Sequence, residues 1–432
     1  MKRPLLLLSL LLLFLAAPAE NYPYRSDVLW VTVPNHSDWL YQTGERATIA
    51  VQFYKYGIPR DGVVRYTIGD DMLPADTEGE VFLTDGRASI SVGTRRTPGF
   101  RDVKMTVEAD GKTYSHHVKV GFSVDEIVPW TCEPHDFSAF WQQTLDDYAR
   151  YPLRYTRERY EPLCTDALTC DLVRIYVDRS HSIYGYLFLP RDARLGAHAV
   201  ELCPPGAGVK SIKGADRRNV NSEHGIVRLE MEIHGLDPRM DDATFATVSA
   251  AFGSNDNGYF SNGIESRERY YLRHVYASLV KGIDFLTSLP EWDGRNVVVQ
   301  GGSQGGALAL VAAALDSRVT LCVANHPAMA DMAASVEKGR TAGYPHFKAD
   351  VLTEKAIETL AYYDVVNFAR HITCPVRMTW GYNDNTCPPT TSYAVWNTLS
   401  CPKEALITPI NEHWTSNDTE RSHCDWILPR LK

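Results

Sequence analysis

The chain has 432 residues, a formal net charge of −9 and 44% hydrophobic residues. That length supplies more than one packed core, and the acidic balance argues against nucleic acid and anionic membranes as partners. Nine cysteines show neither CxxC nor Cys/His zinc spacing, so no metal site is predicted.

Lys2 and Arg3 precede a leucine-rich run to Leu15 and the small-residue site Ala17-Pro18-Ala19. This is the layout of a secretory signal peptide over residues 1–19, with cleavage after Ala19 and a secreted or periplasmic destination. The run is short for a bilayer, and no second one is long enough, so no membrane span is expected. Export permits disulfides. The odd cysteine count leaves at least one unpaired or bonded between chains. Cys164 and Cys170 flank a short loop and could pair, whereas Cys203 and Cys322 sit in apolar runs that would bury their thiols.

Residues 20–125 read as strands and turns. The segments ATIAVQFYKYG, GVVRYTIG, EVFLTDGRASISVG and FRDVKMTVEADGKTYSHHVKVGF alternate apolar and polar residues, with turn signals at Asp61-Gly62, Asp85-Gly86 and Asp110-Gly111. Short strands at regular spacing predict an all-β sandwich of immunoglobulin type. No acid/base cluster is visible in this stretch, so a binding or spacer module is the expectation.

From residue 126 to 432 strand and helix patterns alternate, which predicts a mostly parallel sheet covered by helices, an α/β domain. DFSAFWQQTLDDYARY reads as an amphipathic helix, and SRERYYLRHVYASLVKGIDFLTSL as a long one with Tyr271, Val275, Leu279 and Ile283 on one stripe. The segment VVVQGGSQGGALALVAAA carries Gly301-x-Ser303-x-Gly305 between a strand and a helix. GxSxG alone is a weak signal, but in that context it reads as a nucleophile elbow, which lifts a serine above the sheet. The N–H of Gln304 then points where an oxyanion would form.

A serine nucleophile needs a base, and the base an orienting acid. PVRMTW ends in Gly381-Tyr382-Asn383-Asp384, and EALITP runs into Asn411-Glu412-His413. Asp384 and His413 each follow a strand in the order Ser, Asp, His expected of this elbow. An Asn/Asp turn and a surface histidine are the bland readings of either residue alone. His326 and His423 are weaker rivals for the base. The second oxyanion donor is expected from LCPPGAGVKS: Pro205 has no N–H, which leaves Gly206 or Ala207.

Taken in order, GGSQGG, YYDVVNFA and DNTCPP, together with DFSAFWQQTL, GYLFLP, NGIESRERYYLRHVYASLVKGIDFL and PINEH, resemble the acetyl xylan esterase and cephalosporin C deacetylase family, carbohydrate esterase family seven. The resemblance runs from about Pro134 to His413. It implies an α/β-hydrolase fold that removes acetyl groups from sugar hydroxyls, with Ser303 as nucleophile, Asp384 as acid, His413 as base and no cofactor. The partner it implies is an acetylated carbohydrate or small acetyl ester; the oligomeric state is left open. Two stretches depart from the family pattern: PPGAG stands where an aromatic residue and a Gly-Gly step are usual, and MEIHGLD replaces an Asp-x-Arg-Gly pattern. The competing readings are a serine hydrolase of other specificity, either a peptidase or a bulkier-acyl esterase, and a non-catalytic exported glycan-binding protein.

Overall fold

The structure is a computed structural model and describes residues 27–212, 219–252 and 258–432. The expected signal peptide lies outside the described residues.

Nine strands come first: β1 (Val28–Pro34), β2 (Leu40–Tyr41), β3 (Ala47–Lys55), β4 (Ile58–Pro59), β5 (Gly62–Asp70), β6 (Ala75–Leu83), β7 (Arg87–Gly93), β8 (Gly99–Ala109) and β9 (Lys112–Phe122). They make two sheets. One holds β1, β3, β4 and β7; the other runs β2-β9-β8-β5-β6. Along β3, Ala47, Ile49, Val51 and Phe53 are buried while the residues between them are more exposed. This period-two pattern faces Val64, Val103, Met105, Val118 and Val120 of the other sheet in one shared core. Asp85-Gly86 and Asp110-Gly111 take positive φ at both positions, as tight two-residue hairpins require. Asp61-Gly62 does not make such a turn. The tight turn falls at Tyr56-Gly57, with both φ positive and Lys55 paired to Ile58, while Gly62 opens β5.

The rest of the chain builds one nine-stranded sheet: β10 (Arg154–Arg159), β11 (Leu168–Tyr176), β12 (Ser182–Pro190), β13 (His198–Cys203), β14 (Val227–Glu232), β15 (Trp292–Gly302), β16 (Leu321–Asn325), β17 (Val376–Trp380) and β18 (Lys403–Ile407). The order is β10-β11-β12-β14-β13-β15-β16-β17-β18. The first three pairings are antiparallel, and every pairing from β14 to β18 is parallel. β13, β14, β16 and β17 are buried at every position, as helices on both faces require.

The helices are α1 (Phe137–Ala149), α2 (Asn219–Glu223), α3 (Asp242–Ala251), α4 (Leu272–Thr287), α5 (Gln304–Leu315), α6 (Glu354–Ala361), α7 (Val365–Ala369), α8 (Pro389–Thr398) and α9 (Asn417–Ile427). α4 starts six residues later than SRERYY suggested. There Tyr271 N donates to Asn262 O, and Arg267 turns aside to pair with Asp136, so the preceding turn is not helical. No helix among the described residues is long and apolar enough to cross a membrane.

All nine cysteines are free thiols. Cys164 and Cys170 do not pair: the Cys164 sulfur instead accepts the Cys170 N–H at 3.3 Å. Cys203 and Cys322 are buried. The lobes meet through Phe100, whose ring lies 5.1 Å from Tyr382 and 5.7 Å from Tyr393, and through Asn397, which donates to the carbonyls of Val124 and Ile127.

Candidate active site

β15 ends at Gly302, and α5 begins at Gln304, so Ser303 alone makes the turn. Its backbone sits at φ 59°, ψ −123°, a conformation that costs a non-glycine residue free energy and is held by its surroundings. Asn325 O accepts the Ser303 N–H at 2.9 Å, and Ser303 O accepts from Ala328 N at 3.1 Å. The flanking glycines are needed for space. A Cβ on Gly301 would lie 2.2 Å from Gly305 O, and one on Gly305 would lie 2.5 Å from Pro204 O.

Ser303 Oγ lies 3.0 Å from His413 Nε2, and His413 Nδ1 lies 2.8 Å from Asp384 Oδ2. Asp384 is fully buried. Its other oxygen, Oδ1, accepts the N–H groups of Thr386 and Cys387 at 2.7 and 2.8 Å. Burial opposes the Asp384 charge, but the His413 hydrogen bond, the charges of His413 and His326 and the Cys387 N–H outweigh it, holding the carboxyl below its ordinary value. The three residues follow β15, β17 and β18, at the carboxyl ends of parallel strands, where open α/β sheets form their crevices. Of the rival histidines, one lies beside the base and the other away from it. His326 follows β16 and puts its ring 4.4 Å from that of His413, and His423 is buried within α9.

Gln304 is the first residue of α5, and first-turn N–H groups have no partner within a helix. Its side chain ties the Gly206–Ala207 loop to the elbow. Nε2 donates to Pro205 O at 3.3 Å, Oε1 accepts from the Tyr259 hydroxyl at 2.5 Å, and that hydroxyl accepts the Gly208 N–H at 3.1 Å. Gly206 faces the elbow: a Cβ there would have Gly302 O, at 3.9 Å, as its near neighbour. Tyr259 was not singled out from the sequence, because nothing in GYFSNG distinguishes a loop anchor from a core aromatic.

MEIHGLD lies behind this loop. His234 Nδ1 shares a hydrogen bond of 2.7 Å with the Tyr271 hydroxyl, and its ring lies 4.9 Å from Tyr259. Burial lowers His234 to about 4, so it is a neutral part of an aromatic wall. Glu232 is enclosed beneath it and accepts the N–H groups of His234 and Leu236; burial raises its carboxyl to about 8 despite them.

The first lobe does carry a charged cluster, contrary to the sequence expectation, and it abuts these loops. Lys119 on β9 is fully buried with Asp71 at 2.8 Å, and the ammonium also donates to the backbone oxygen of Asp384 at 2.8 Å. His117 lies between Asp102 and Glu412 at 3.2 and 3.6 Å. The sequence hid this cluster because Asp71 lies 48 residues from Lys119, and Asp384 lies in the other lobe, 265 residues away.

Among the described residues, Asp384, Cys387 and His413 place donor atoms within 4.8 Å of one another, close enough to share an ion. Burial pushes the Cys387 thiol well above its ordinary value. The Asp384 and His413 atoms are already hydrogen-bonded to each other.

A helix-covered, mostly parallel sheet with this elbow defines an α/β-hydrolase fold of the esterase kind. The profile of the acetyl xylan esterase (AXE1) family matches residues 123–428, and the chain belongs to that family of carboxylic ester hydrolases. It is 55% identical over 418 residues to the acetyl esterase Axe7A of Xylanibacter ruminicola, an alignment covering 96% of this chain and 94% of that protein. Two solved structures share the fold. The acetyl xylan esterase from Paenibacillus sp. R4 has a TM-score of 0.62 at 24% identity, over 71% of this chain and 98% of that one. Acetyl xylan esterase 1 from Thermoanaerobacterium sp. JW/SL YS485 has a TM-score of 0.60 at 22% identity, over 72% of this chain and 98% of that one.

Proposed function

We propose that this chain is an exported serine esterase that removes acetyl groups from acetylated carbohydrates or small acetyl esters, through a Ser303–His413–Asp384 triad and an acyl-enzyme. The observation that carries the reading is the relay itself: Ser303 Oγ 3.0 Å from His413 Nε2, with Asp384 2.8 Å behind the ring. The likeness to a named acetyl esterase along nearly the whole chain supports the acyl group.

In the proposed reaction His413, oriented by Asp384, takes the Ser303 proton as Oγ attacks the acetyl carbonyl. The Gln304 N–H and an N–H from Gly206 or Ala207 stabilise the oxyanion. The alcohol leaves with the proton from His413, and water attacks the acyl-enzyme to release acetate and restore the serine.

The proposed organisation is a signal peptide over residues 1–19, an immunoglobulin-like sandwich over 20–125 and the hydrolase over 126–432. Two stacked sheets ending at Phe122, and a family match that begins at residue 123, support that division. N-terminal sequencing of the exported protein tests the first boundary, with Glu20 expected as the first residue.

The deciding experiment is hydrolysis of p-nitrophenyl esters of increasing acyl length, with Ser303→Ala as control, followed by acetate release from acetylated xylan. A steep preference for acetyl that vanishes in the variant is expected. A preference for longer or aromatic acyl groups would keep the triad and reject the acetyl specificity.

A further inference from the structure

We infer that β9 of the first lobe positions the acid and base of the proposed triad, with Lys119 as the positioning residue, so that this lobe belongs to the catalytic apparatus rather than acting as a spacer. The inference rests on the triad reading above.

Lys119 is joined to the acid loop twice. Its ammonium donates to Asp384 O at 2.8 Å, and its backbone N–H donates to Asn383 Oδ1 at 2.9 Å. Asn383 passes the contact on: its own N–H reaches Asn411 O at 3.1 Å, and its side-chain amide reaches Ile410 O at 3.2 Å. Asn411 and Ile410 lie in the loop that carries His413. The two loops also touch backbone to backbone, since a Cβ on Gly381 would fall 2.1 Å from Asn411 O. A displacement at β9 therefore reaches the acid and the base together.

The other end of the ion pair is equally committed. Asp71 Oδ2 accepts from the Thr390 N–H at 3.2 Å and hydroxyl at 2.7 Å, at the start of α8, and Asp71 O accepts from the Thr341 hydroxyl at 2.7 Å. A second bridge from β9, His117 to Glu412, ends on the residue next to His413.

Stability alone does not explain this placement. A buried ion pair often contributes no more than well-packed apolar side chains of the same volume, and the lobes already dock through Phe100 and Asn397. What the ammonium adds is direction. It fixes the Asp384 carbonyl on one side while the Thr386 and Cys387 N–H groups fix the carboxylate on the other. With both held, Oδ2 stays within hydrogen-bond reach of His413 Nδ1. A misplacement of about 1 Å at such a group costs about a hundredfold in rate.

The test is the full-length double variant Lys119→Met with Asp71→Asn, which removes both buried charges together. Rates are expressed per active site, titrated with a fluorophosphonate, so that a smaller folded fraction does not count as slower chemistry. The expected result is a fall in kcat of about ten- to a hundredfold with KM little changed. The acid limb of the kcat/KM profile is expected to move to lower pH, because a loosely held carboxylate stabilises the imidazolium less. Wild-type kcat per site and an unmoved acid limb would overturn the inference.

Should the double variant not fold, Glu412→Gln decides. That side chain is exposed, and loss of its bridge is expected to lower kcat per site about two- to fivefold; an unchanged rate would overturn the inference. Ser303→Ala, run alongside, separates the failures. Turnover retained in Ser303→Ala defeats the triad reading itself, whereas a dead Ser303→Ala beside an unaffected double variant defeats only the role of β9.

Discussion

Both lobes bury apolar residues between layers, but they distribute them differently. In the first, Ala47, Ile49, Val51 and Phe53 of β3 point inward between more exposed neighbours, so that strand has one dry face and one wetter face. In the second, β13, β14, β16 and β17 are buried on both faces, and even the charged Glu201, Arg228 and Glu230 within them are enclosed. Ser303, Asp384 and His413 all stand past the carboxyl ends of strands, whereas the first lobe offers Lys119 from the middle of β9. A sheet covered on both faces can carry reacting groups only at its rim. A sheet with an open face can press a residue such as Lys119 against a neighbour. The first arrangement suits chemistry, and the second suits support.

If the division is right, the largest losses come from the rim of the second lobe. Ser303→Ala is expected to lower kcat by about 10⁴- to 10⁶-fold, with an unchanged circular dichroism spectrum. Asp384→Asn comes next, at about 10³- to 10⁴-fold, since an amide favours the wrong imidazole tautomer. An active Asp384→Asn enzyme would mean that the relay ends elsewhere. Gly305→Ala sharpens the picture at the elbow. Its Cβ would press on Pro204 O at 2.5 Å and move the loop that carries Gly206 and Ala207, so kcat is expected to drop about a hundredfold, as for loss of one oxyanion donor.

Glu232 gives a stability test of the doubly covered sheet. Its folded carboxyl titrates near 8 against an ordinary 4.5. Between those values the folded chain keeps a proton that the unfolded chain releases, so stability is full at low pH and falls as pH rises through about 8. Thermal melts from pH 6 to 9 are expected to decline in the wild type and to flatten in Glu232→Gln. The smallest effect belongs to the wet face of the first lobe: Arg65→Ala, which removes an exposed pair with Glu108, is expected to leave both Tm and kcat where they are.

The amino-acid sequence by itself determined the parts whose physics is local. Alternating residues in β3 specify a strand with one buried face, and Asp85-Gly86 and Asp110-Gly111 specify tight turns, because positive φ is cheap for glycine and tolerated by aspartate. Glycines around Ser303 between a strand and a helix specify the elbow, and residues just past strand ends pointed to Asp384 and His413. The late start of α4 escaped, since SRERYY has no breaker and contacts outside the segment, Tyr271 N to Asn262 O and Arg267 to Asp136, hold that turn out of the helix. Tertiary structure alone decided which tyrosine holds Gln304, why MEIHGLD buries a neutral histidine, and that Lys119 meets Asp384. Each of these joins residues far apart in the chain, and it is the packing of one lobe against another, or of one loop over another, that removes the water and leaves these polar groups only each other as partners.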